Sequence, residues 1–88
     1  MYLEEFATSI EQNLNWTYEH DCIPYKRRYT VAIDNTFFKD RTKTIKVVGE
    51  GITPENAKDD YIRKIHGRKI HSVKGTTKVY TVPSNIEG

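Results

Sequence analysis

The chain has 88 residues, of which 36% are hydrophobic and 30% charged, and a net charge of +2. That describes one small folded domain, too short for two and too apolar to stay disordered. No apolar run approaches the roughly 20 residues of a membrane span, the N-terminus lacks a basic-then-apolar leader, and the lone Cys22 makes no internal disulfide, so the expected setting is the cytoplasm.

The charge is uneven. Residues 1–24 hold five acids and no Lys or Arg, net −5, whereas residues 25–88 hold 14 Lys and Arg against seven acids, net +7. An acidic helix packed near a basic sheet gives such a distribution, and so does a basic binding face.

In chain order, residues 2–14 carry Leu3, Phe6, Ala7, Ile10 and Leu14 at helical spacing, which predicts an amphipathic helix. Glu4 and Glu5 suit the positive end of its dipole. Residues 15–24 read as a connection that Trp16, Tyr18 and Ile23 anchor to the core. His20 and Cys22 are close, but a zinc site needs three or four nitrogen or sulfur ligands and no second cysteine exists, so no metal is expected. Pro24 opens an extended run. Residues 25–35 alternate Tyr29, Val31 and Ile33 with Thr30, Ala32 and Asp34, the period of a strand with one buried face. Residues 42–49, with Ile45 and Val47, read as its partner. The link from Thr36 to Arg41 reads as a hairpin loop, with at least one of the adjacent Phe37 and Phe38 exposed.

Gly49 and Gly51 end that strand with free backbone angles. Thr53 is a good N-cap and Pro54 a good first helical residue. Ala57, Tyr61, Ile62 and Ile65 then share a helix face, and Gly67 predicts a left-handed stop. Residues 69–73 and 77–82 read as two strands turned by Lys74-Gly75-Thr76, and 84–88 as a frayed tail. The expected fold is α+β: an N-terminal helix, then β-β-α-β-β, in one small antiparallel sheet with helices on one face. Residues 1–83 form the single domain. Its core should gather Tyr29, Val31, Ile33, Ile45, Val47, Ala57, Tyr61 and Ile65 with Leu3, Phe6 and Ile10.

No catalytic constellation is visible. Gly49 and Gly51 lack the third glycine of a dinucleotide loop, and Asp59 and Asp60 are helix neighbours that point apart. An enzyme is not expected, nor is a cofactor. The functional feature is the basic surface with its aromatics. Lys26, Arg27 and Arg28 open the first strand, Lys39 and Arg41 flank Phe37 and Phe38, and Arg68 and Lys69 follow the second helix. Cations beside aromatics bind phosphates and stack bases. The same types anchor protein interfaces. Asp59–Arg63 and Asp60–Lys64, four residues apart, offset part of this charge.

Residues 49–83 also resemble a set of short phage and prophage proteins with a G-x-G-x-TPE-x-A-x-x-DY-x-x-x-I-x-G-[KR] core and a late aromatic-x-VP. Gly49, Gly51, Thr53, Pro54, Glu55, Ala57, Asp60, Tyr61, Ile65, Gly67, Arg68, Val82 and Pro83 match that pattern. With the strands before it, the segment is similar to the β-β-α-β unit of HicB-type antitoxins. The resemblance implies a phage or prophage accessory protein in a bacterial cytoplasm. It would act by binding a host or phage protein, as an inhibitor or modulator with an anti-defence role among the options. A nucleic-acid-binding module using the basic strand and loop is the alternative, and homodimerisation is open. Double-stranded-RNA-binding domains are a poorer match, because Pro54 and Glu55 stand where phosphate-binding lysines would sit. The expected contact face is the loop 36–41 with the start of the first strand.

Overall fold

The computed structural model describes residues 1–22, 25–73 and 79–88. Among these, helix α1 (Leu3–Ser9) is followed by β1 (Leu14–Cys22), β2 (Tyr25–Ile33), β3 (Thr36–Asp40), β4 (Lys43–Ile45) and β5 (Gly49–Gly51). Helix α2 (Pro54–Ile65) and strands β6 (Lys69–Val73) and β7 (Tyr80–Thr81) complete the chain. The α+β class is as expected, but the strands form two antiparallel sheets, not one. Their orders are β1-β2-β5 and β4-β3-β6-β7.

The N-terminal helix is five residues shorter at its end than the apolar spacing predicts. Glu11 takes a left-handed φ of 61°. The Gln12 N–H donates to the Ala7 carbonyl at 2.9 Å and the Glu11 N–H to the Thr8 carbonyl at 2.9 Å, the paired bonds of a Schellman stop. Leu14 kept the helical phase only by coincidence, and it starts β1.

Residues 15–22 are therefore strand, not connection. β1 pairs with β2 over nine residues, from Leu14↔Ile33 to Cys22↔Tyr25. Trp16 and Tyr18 are exposed on this strand and do not anchor the core. The expected roles of Ile23, Pro24 and the Lys74-Gly75-Thr76 turn lie outside the described residues.

The loop expected at 36–41 is strand from Thr36 to Asp40, and only Arg41, at φ 57°, lies in the turn to β4. Asn35, with φ 56°, turns the chain after β2. The Thr36 hydroxyl donates to the Ile33 carbonyl at 2.7 Å. β3 then enters the second sheet between β4 and β6. The 42–49 strand splits into β4, which pairs with β3, and β5, which pairs with β2.

One core joins both helices and both sheets. It holds Leu3, Phe6, Ile10, Val31, Ile33, Val47, Ala57, Tyr61 and Ile65, with Tyr29 and Ile45 packed partly buried at its margin. Phe38, Ile70, Val82 and Ile86 extend it. The C-terminal tail is accordingly not frayed. Ile86 is 6% exposed, the Glu87 N–H donates to the Met1 carbonyl at 2.9 Å, and the Glu87 carbonyl accepts from the Leu3 N–H at 2.7 Å. A buried isoleucine and two backbone bonds hold what a polar composition suggested would be loose.

Helix α2 has the expected termini. The Thr53 side chain accepts from the Asn56 N–H at 3.1 Å, and Gly67 lies at φ 71°. Tyr61, fully buried on its inner face, accepts from the Ile33 N–H at 2.9 Å and so satisfies a donor of the β2 end. Burial pushes its phenol pKa up.

Asp60 locks α2 to β5. Its carboxylate accepts from the Lys64 ammonium at 2.9 Å and from the Glu50 N–H at 2.9 Å, and it also pairs with Arg63. These contacts, Lys64 foremost, hold its pKa below the ordinary carboxylate value. A folded pKa below the unfolded one means stability that is present above about pH 4 and lost as pH falls through the lowered value. Asp60→Asn should therefore lower stability by about 1–2 kcal/mol near neutrality. The gap to the wild type should close in strong acid. Thermal unfolding of both proteins from pH 7 to about pH 2 measures it, and a gap independent of pH would show that the carboxylate charge is not what matters.

Candidate functional site

The two faces of the β1–β2 hairpin differ sharply. Alternation puts Asn15, Thr17 and Glu19 with Thr30 and Arg28 on one face. Apart from the buried Ala32 opposite Asn15, that face is polar and internally paired. The Thr17 and Thr30 hydroxyls bond to each other, and Arg28 bridges Glu19 at 2.7 Å and Glu50 at 3.8 Å.

The other face is aromatic. In the ladder Trp16 is opposite Val31, Tyr18 opposite Tyr29, and His20 opposite Arg27. The Tyr18 and Tyr29 rings lie 4.7 Å apart at a tilt of 42°, and Tyr18 stacks with His20 at 6.3 Å. Val31 and Ile33 on this face are buried. Gly49 and Gly51 pair with Val31 and Tyr29, and helix α2 lies on them. β1 is one strand further out, so Trp16 stays 39% exposed and Tyr18 50% exposed.

β5 supports β2 only at Tyr29–Val31. Among the described residues the distal half of the hairpin, residues 19–22 and 25–28, is therefore two-stranded. At the near end, the indole of Trp16 borders a cleft of about 250 Å³ between α1 and β1, whose polar lining comes from Glu4, Thr8, Gln12 and Asn13.

The expected site residues do not come together. Lys26, Arg27 and Arg28 lie on β2 in the first sheet, with Lys26 opposite Asp21 and Arg28 in its ion pairs. Phe37, Phe38, Lys39, Arg41, Arg68 and Lys69 belong to the second sheet or its flank. Phe38 is fully buried and Phe37 half-buried. Arg68 stands with its guanidinium 5.2 Å from the Phe38 ring centroid and donates to the Lys64 and Lys39 carbonyls at 3.3 and 3.4 Å. That is a structural role. Lys39, Arg41 and Lys69 are exposed. A basic aromatic loop face is thus not what the fold builds, because the loop is a core strand.

The aromatic face was missed, although its signal is in the sequence. Leu14, Trp16, Tyr18, His20 and Cys22 alternate with Asn15, Thr17, Glu19 and Asp21, an unbroken period of two over nine residues. Among the described residues no group of three or more His, Cys, Asp or Glu is placed to hold a metal ion, and no helix is long and apolar enough to cross a membrane. No protein-family model, curated protein or solved structure matches the chain.

Proposed function

We propose that this chain is a small binding module whose contact face is the aromatic side of the β1–β2 hairpin, and that its partner is a protein. A phage or prophage accessory protein acting in a bacterial cytoplasm on a host protein is the setting that the motif resemblance favours. The observation that carries the reading is the pair Trp16 and Tyr18, side by side and exposed on an outer strand. Tryptophan and tyrosine anchor protein interfaces by burying large rigid area at low entropic cost. Adjacent exposed aromatics on a small domain mark a contact surface more often than a solvated one.

The module's only tryptophan is Trp16, so its fluorescence reports on the site directly. The test compares the wild type, a Trp16→Ser/Tyr18→Ser double variant, and a Lys39→Glu/Arg41→Glu double variant, each immobilised against host lysate. The aromatic variant should lose a specifically captured protein at least tenfold, and its thermal midpoint should move by no more than about 4 °C. The charge variant should keep the capture. With the purified partner, Trp16 of the wild type should become shielded from acrylamide quenching. Capture that survives in the aromatic variant and fails in the charge variant would move the site to the β3–β4 hairpin. Salt-sensitive retention on heparin would then support the nucleic-acid alternative.

A further inference from the structure

β1 ends its sheet, and among the described residues no strand pairs with its outer side. We propose that this edge pairs antiparallel with β1 of a second copy of the chain, about a two-fold axis at Tyr18. The proposal rests on reading the hairpin as the contact element and names what covers its edge. The product is a six-stranded sheet in which two aromatic strips lie side by side and form one double-width contact face.

Of the usual edge protections the strand carries only the acids Glu19 and Asp21. Leu14–Cys22 contains no Lys, Arg, Pro or Gly, and its nine pairs with β2 run without a bulge. Long regular edges of this kind are templates for pairing. The ladder also fixes which residues can pair. The Asp34 N–H donates to the Asn13 carbonyl at 2.8 Å, one step beyond Leu14↔Ile33. Hydrogen-bonded and non-hydrogen-bonded pairs alternate in an antiparallel ladder. Thr17 and Glu19 therefore turn their backbone groups towards β2, and Trp16, Tyr18 and His20 turn theirs to the outer side of β1.

Two copies can bond only by matching these outward residues with each other. An axis at Tyr18 does so over the full strand: Tyr18 meets Tyr18, and Trp16 meets His20. It also sets each acid against a neutral hydrogen-bonding side chain, Glu19 against Thr17 and Asp21 against Asn15. Sliding the axis one residue towards Cys22 would oppose Glu19 to Glu19. A like-charge pair directly across a ladder is destabilising. Charge excludes the axis at Glu19, and length excludes one at Thr17, which would leave Asp21 and Cys22 beyond the partner strand.

Sedimentation equilibrium of the whole chain across the micromolar range should give a monomer–dimer equilibrium. Thr17→Glu places a carboxylate opposite Glu19 and should raise the dimer dissociation constant about tenfold, because the two-fold repeats the pair. Thr17→Lys should lower it about threefold. Both substitutions remove the Thr17–Thr30 bond equally, so a merely structural effect would move both the same way. Hydrogen exchange on the unmodified protein needs no variant. The amides of Trp16, Tyr18 and His20 should gain protection with concentration. A monomer at every concentration, equal effects of Thr17→Glu and Thr17→Lys, or unprotected edge amides in a dimer would each overturn the proposal. A monomer whose partner capture still depends on Trp16 and Tyr18 removes only the dimer. A dimer whose capture ignores those residues removes only the proposed contact face.

Discussion

Gly49→Ala should destabilise the fold by about 3 kcal/mol, the upper end of ordinary overpacking costs. A Cβ at Gly49 would collide with the Ala57 carbonyl oxygen and the Tyr61 Cβ and lie 2.6 Å from the Tyr61 nitrogen. At Gly51 it would meet the Ala57 nitrogen at 2.6 Å and Asn56 carbons at 2.7 Å. The obstacles are mostly helix backbone, which cannot swing aside as a side-chain tip can. Helix α2 would have to lift off β5 and take Tyr61 with it, and the Ile33 N–H would lose its acceptor. Gly67 is the internal control. Nothing stands within 4 Å of a Cβ there, and only its φ of 71° opposes substitution. Gly67→Ala should cost only about 1 kcal/mol. Urea unfolding of the two alanine variants measures both effects. If Gly49→Ala and Gly67→Ala cost the same, the helix does not rest on the strand.

That contrast explains what the sequence could and could not disclose. Thr53 and Pro54 act through local backbone rules, and the start of α2 was readable to the residue; the helix stops at His66, whose ψ is 136°, with Gly67 left-handed directly after it. The core positions of β2 and α2 followed from periodicity alone. Gly49 and Gly51 were assigned to free backbone angles, but neither has a positive φ. Their role is the absence of a side chain under a helix several residues later in the chain. Local pattern cannot express that. The end of α1 was hidden for a related reason, since Glu11 occupies a left-handed position that glycine usually announces.

The candidate site was legible in one half only. β1 alternates as plainly as β2, but its apolar positions include Trp, Tyr and His with acids between them, and residues 15–24 read as a connection. Its exposure follows from its place outside β2, beyond the reach of α2, and sheet order is a tertiary fact. The Phe37-Phe38 pair misled in the opposite direction. Adjacent aromatics looked like a loop tip because strand alternation lets only one of two neighbours face a core. That rule holds here: Phe38 is buried and Phe37 only half so.

Phe38→Ala should cost about 3–5 kcal/mol, as for other fully buried aromatic truncations. Phe38 is 0% exposed and stands opposite Ile45 on one side and Ile70 on the other. The register shifts between Phe37 and Phe38, where β6 spends the extra residue His71. Removing the ring opens a cavity between three strands and takes away the surface under the Arg68 guanidinium. A domain of this size has little stability to spare, so the variant should be largely unfolded near 37 °C and folded in the cold. Phe37→Ala, which removes a half-buried ring, should cost about 1–2 kcal/mol. Arg68→Ala should cost about 1 kcal/mol, the worth of a half-buried cation over a ring. Calorimetry on the three variants separates these losses. Partner capture measured in the cold, where Phe38→Ala is folded, should match the wild type. Capture lost there with the fold intact would return Phe38 to the contact face and move the site from the first sheet to the second.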